Sequence, residues 1–96
     1  MHVCTVEMEL HIGESTSLKA KRAVIKHLVE SARHRFGVSA AEVGFQDQWQ
    51  RSIIGFAAVA GTAGHAEELV ERAERYVWSH PEVAVLRAER RWVELD

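Results

Sequence analysis

The chain has a single cysteine, Cys4, so no internal disulfide can hold it together. A lone thiol in a chain of this size fits a reducing compartment, and the expected location is the cytoplasm. One proline and six glycines leave little material for linkers or disordered tails. The longest apolar run, residues 53–61, falls well short of the roughly 18–20 residues that span a bilayer, so no membrane partner is expected. The first ten residues, MHVCTVEMEL, place acids inside an apolar pattern and lack a basic leading segment, which argues against a signal peptide. Gly-rich phosphate loops, nucleophile elbows, paired-acid sites and CxxC or HxxxH spacings are missing. No catalytic residue, cofactor or metal is therefore nominated. His27, Glu30 and His34 share a helical stripe, but the two histidines stand about 10 Å apart along the axis, too far to share one ion.

What is present is a sharply uneven charge. Residues 17–36, SLKAKRAVIKHLVESARHRF, hold six bases and one acid, a net of +5 in a chain whose total is −2. The remainder therefore carries −7. A cationic segment on an acidic body is a dipolar surface that steers anions. The same segment reads as one helix. Leu18, Ile25, Leu28, Val29, Ala32 and Phe36 fall on one face at helical spacing. Ser17 is placed to cap its start and Gly37 to end it in a left-handed turn.

Around this helix the pattern is that of strands. Residues 3–12 alternate, with Cys4, Val6, Met8, Leu10 and Ile12 on one side and Thr5, Glu7, Glu9 and His11 on the other. Residues 38–46 form a weaker strand with Ala41, Val43 and Phe45 on one face, followed by a turn at Asp47 and Gln48. Residues 49–61 are apolar on both faces, which predicts a central strand covered on both sides. A second helix is expected over residues 65–80, with Glu68–Arg72 and Glu71–Arg75 as i,i+4 ion pairs and Pro81 as its stop. The last strand covers residues 83–95, with Leu86, Ala88 and Trp92 inward. The order β-α-β-β-α-β with right-handed crossovers predicts an α+β, ferredoxin-like sandwich: one domain over residues 1–96, four antiparallel strands and both helices on one face. Glu7 and Glu9 should then meet Arg87 and Arg91 across the open face.

The elements Ser17-Leu18-Lys19-x-Lys21-Arg22, Val38-Ser39-x-x-Glu42-Val43 and Trp49-Gln50 before a small-residue strand resemble the YlxP-like family. This group of small bacterial proteins is also called domain of unknown function 503. The resemblance covers essentially the whole chain, with Ala20 standing where many members carry an acid. It implies the ferredoxin-like fold and genes that often neighbour translation and ribosome-maturation factors. It carries over no catalytic residues.

The candidate site is the cationic helix. Ser17, Lys19, Lys21, Arg22, Lys26 and Arg33 form the expected anion- or RNA-binding set, and RNA or a ribosomal particle is the expected partner. The competing reading pairs these bases with the acidic second helix. The alternative function is a homo-oligomeric ligand-binding or scaffold module that uses the open sheet face, and a homo-oligomer is expected, with Ile53, Trp49 and Trp78 as interface candidates. Stacking of RNA bases on the sheet is not expected, because the exposed side of the first strand is acidic rather than aromatic.

Overall fold

A computed structural model of the protein describes residues 1–95. The elements follow the expected order: β1 (His2–His11), α1 (Leu18–Phe36), β2 (Ser39–Gly44), β3 (Arg51–Ala60), α2 (Ala63–Trp78) and β4 (Ala84–Glu94). The strands form one sheet in the order β2-β3-β1-β4, with every neighbouring pair antiparallel. This is the ferredoxin-like α+β sandwich.

The core follows from the alternation of β1. Cys4, Val6, Met8, Leu10 and Ile12 are all buried, against Ile54, Phe56 and Ala58 of β3. Ile25, Leu28, Val29 and Ala32 of α1 and Ala66, Val70, Ala73 and Val77 of α2 close over them. Burying each large apolar side chain contributes about 1.5–3 kcal/mol, which is what fixes strand parity. Burial also pushes the Cys4 thiol above its ordinary range, a rise only partly offset by the charge of Arg90. Cys4 is therefore expected to resist a disulfide exchange reagent at pH 8 in the native protein and to react fully in denaturant, as thiol titration would read. Because the thiol pKa is raised on folding, this contribution to stability is present at neutral pH and lost as pH rises beyond the thiol range.

Both helix ends obey local chemistry. The Ser17 hydroxyl accepts from the Ala20 amide at 3.0 Å, and Gly37 adopts φ 66° as its amide bonds the Arg33 carbonyl. The second helix begins two residues earlier than expected. Thr62 caps it, its hydroxyl accepting from the His65 amide at 3.2 Å.

Ala41 and Val43 of β2 share a face as expected, and it is the open side of the sheet; the side turned to the helices is occupied by Ala40 and Glu42. In β4 one expected orientation fails. A bulge where Glu9 pairs Arg87 but Leu10 pairs Val85 makes Leu86 the extra residue; it is 56% exposed and Val85 packs on the core instead. Ala88 and Trp92 do share the inward parity of Met8 and Cys4, but at the sheet edge both remain exposed. On the open face, Glu9 stands opposite Arg87 and also binds Arg51 at 2.9 Å. Glu7 stands opposite Glu89 rather than a base, and Arg91 stands opposite Thr5. Arg87 and Arg91 instead hold Glu89, at 3.0 and 2.9 Å. Of the two expected helix pairs, Glu68–Arg72 forms at 2.6 Å, whereas no ion pair joins Glu71 to Arg75.

Candidate polyanion-binding ridge and groove

α1 lies over the β2 side of the sheet and α2 over β1 and β3, reaching β4. Helical spacing puts Lys19, Arg22, Lys26 and Arg33 on one stripe about 21 Å long. The groove of about 420 Å³ between α1 and β2 is lined by Arg22, Lys26 and Arg33, floored by Ile25, Val29 and Ala41, and closed by Glu42 and Gln46. The sequence left open whether these cations were spent on α2. They are not. Among the described residues, Lys19, Arg22, Lys26 and Arg33 form no ion pair.

Three of the four acids of α2 have other partners. Glu67 and Glu74 both bind Arg90 of β4, at 3.2 and 3.1 Å, and Glu68 binds Arg72. Burial works against the charge on Arg90. The hydrogen bond and charge of Glu74, with Glu67 adding, outweigh it and hold its pKa above the ordinary value. The first turn of α1 contains no acid, so the helix start adds its positive end to the ridge.

Lys21 departs from the expected set. It is completely buried, and its ammonium donates to Glu42 Oε2 at 2.7 Å, the Phe45 carbonyl at 3.0 Å and the Gln46 carbonyl at 3.3 Å. All three of its protons are engaged. Ser52 donates to the same Glu42 oxygen at 2.6 Å. Lys21 thus ties α1 to the β2–β3 turn and cannot reach a ligand. The reason is angular: it lies inside the apolar sector of α1, and its partner sits on the inward face of β2. The clue in the sequence is the position of Lys21 among Leu18, Ile25 and Leu28; its partner is twenty-one residues away, so spacing along the chain does not reveal it.

The turn that Lys21 holds contains the one non-glycine residue with positive φ among the described residues, Phe45 at 57°. The Arg51 guanidinium stacks over its ring at 4.2 Å. Ser17 spends its hydroxyl on the cap, and Ser15 donates to the Ser17 carbonyl at 3.0 Å. Neither hydroxyl is directed at a ligand. Arg33 stays exposed while bonding the Ala40 carbonyl of β2, which sets one wall of the groove.

The three interface candidates do not form one patch. Ile53 is half-buried on the open sheet face, Trp49 is 52% exposed beside the β2–β3 turn, and Trp78 is 57% exposed at the end of α2. The central strands offer no aromatic residue to the open face; β1 presents Thr5, Glu7, Glu9 and His11 there, and β3 presents Ile53, Gly55, Ala57 and Val59. No helix of the described residues is long and apolar enough to cross a membrane.

Comparison with known proteins identifies the family of this chain. The chain is 39% identical over 77 residues to the uncharacterized protein YlxP of Bacillus subtilis (strain 168), covering 80% of this chain and 84% of that relative. A family model described as protein of unknown function (DUF503) matches residues 3–90. With that match running from β1 into β4, the chain belongs to the DUF503 family.

Proposed function

We propose that this protein is a non-catalytic binding module that engages RNA or a ribosomal particle through Lys19, Arg22, Lys26 and Arg33. One observation carries the reading: these four cations share a single ridge, and no acid of the described residues neutralises any of them. A purely structural set of bases would be expected to use the α2 acids beside it, and three of those four acids, Glu67, Glu68 and Glu74, are held by Arg90 and Arg72 instead. The apolar groove floor at Ile25 and Val29 gives an RNA strand a surface to lie against. Phosphate contact of this kind positions a strand without reading its sequence.

The test is fluorescence anisotropy of labelled single-stranded and duplex RNA across a salt series. With about four phosphates neutralised, log affinity for the single strand is expected to fall with log salt at a slope near −3. Binding that ignores salt, or no binding at low salt, would exclude the proposal.

A further inference from the structure

The two edges of the sheet are unlike. β2 has six residues, and α1 flanks it with Arg33 on a backbone carbonyl. β4 has eleven residues, and no described element lies beyond it. A long bare edge is a row of unspent hydrogen-bonding groups.

The ladder shows which groups these are. Leu95 donates its amide to the Met1 carbonyl at 2.8 Å, and the Met1 amino group donates to the Leu95 carbonyl at 2.7 Å. Leu95 therefore turns its backbone toward β1. Register is unbroken from Glu9↔Arg87 to His2↔Glu94, so alternation directs Arg87, Glu89, Arg91 and Val93 the same way. Ala88, Arg90 and Trp92 then present their N–H and C=O groups to the outside.

We infer that this edge is completed by a second copy of the chain, β4 against β4 about a two-fold axis, giving a continuous eight-stranded sheet. The side chains select one register, centred on Arg90. There Ala88 faces Trp92 of the partner subunit in both directions, so a large exposed ring covers a small exposed residue. Glu89 faces Arg91 of the partner subunit twice, on the open face of the sheet. The outward groups of Ala88, Arg90 and Trp92 then exchange six main-chain hydrogen bonds, two for each facing pair. Centring on Glu89 instead apposes Glu89 with itself and Arg87 with Arg91. Centring on Arg91 apposes two guanidinium groups. Centring on Ala88 forces pairing through the bulge at Leu86. Centring on Trp92 also keeps the strand unbroken, but it apposes the two indole rings, leaves Glu89 facing Leu95 and Arg91 facing Val93, and sets Glu94 against an Arg90 already held by Glu67 and Glu74. The Arg90 register pairs the exposed charges Glu89 and Arg91 with each other. The two Arg90 side chains tolerate this apposition because each already sits between Glu67 and Glu74 of its own chain. Both α1 ridges remain uncovered at the far ends of such a sheet.

Sedimentation velocity across a concentration series up to about 100 µM tests this, since a dimer of micromolar affinity is then well populated. Glu89→Arg or Arg91→Glu alone places like charges opposite each other twice and is expected to weaken self-association about tenfold or more. The double variant E89R/R91E exchanges the partners and is expected to restore it. Glu89 and Arg91 are exposed, and the pairs Glu89 makes with Arg87 and Arg91 of its own strand are surface pairs that contribute little, so the fold of the monomer is retained. In parallel, amide exchange at Ala88, Arg90 and Trp92 is expected to slow as concentration rises. A strict monomer at the top of the series overturns the inference. So does a dimer indifferent to the single swaps, or one that the double variant fails to restore, because its interface then lies elsewhere.

Discussion

Lys21→Met is expected to lower the unfolding free energy by about 3 kcal/mol, a large share of the stability of a domain this size. Equilibrium urea unfolding measures it directly, and the melting temperature should drop by about 15 °C. The change strands the Glu42 carboxylate, whose side chain is only 17% exposed, with Ser52 as its one remaining partner. It also releases the Phe45 and Gln46 carbonyls that the ammonium had satisfied. An uncompensated buried acid is far more costly than a missing ion pair. The double variant K21M/E42L, which removes both charges, is therefore expected to recover most of the loss. A K21M protein within about 1 kcal/mol of the parent would show that Lys21 is not held as described.

The neighbouring position is expected to behave in the opposite way. Arg22→Glu combined with Lys19→Glu and Lys26→Glu should reduce single-stranded RNA affinity about 100-fold near 0.15 M salt, while unfolding stays within about 1 kcal/mol of the parent. Three phosphate contacts account for most of that factor through counterion release, and like-charge repulsion supplies the rest. The fold should be indifferent because all three side chains are exposed and none is ion-paired among the described residues. New acids in the first turns also suit the helix dipole better than the bases they replace. Arg33 is left in place because it bonds the Ala40 carbonyl, so its loss would mix wall geometry with charge. The contrast between Lys21 and Arg22 separates a folding defect from a binding defect at adjacent residues. An unchanged RNA affinity in the triple variant would remove the ridge from any role in binding.

Much of the architecture could be read in advance because period carries it. The alternation of residues 3–12 and the 3.6-residue spacing of residues 18–36 each state which side is buried, and burial dominates the energetics. The two outer strands were harder. Val43 and Ala41 look like a core face by composition, yet the core face of β2 carries Glu42, since a buried lysine across the gap makes an acid the favourable occupant. In β4 a single extra residue at Leu86 breaks the parity between Val85 and Ala88, and no local signal announces a bulge.

The linear chain by itself determined the order of elements, the inward side of β1 and both helices, the cap at Ser17, the stop at Gly37 and the concentration of positive charge on one helix. Those properties depend on neighbours three or four residues away, or on strict alternation. β3, expected to be covered on both faces, is buried on only one, because both helices lie on the same side of the sheet. Tertiary structure alone decided which of those charges are available. Lys21 is consumed by Glu42, twenty-one positions distant, and Glu67 and Glu74 of α2 are consumed by Arg90 on the last strand. Coulomb and hydrogen-bond energies fall off over a few ångströms, so a charge is free or spent according to what the fold sets beside it, and spacing along the chain does not carry that information.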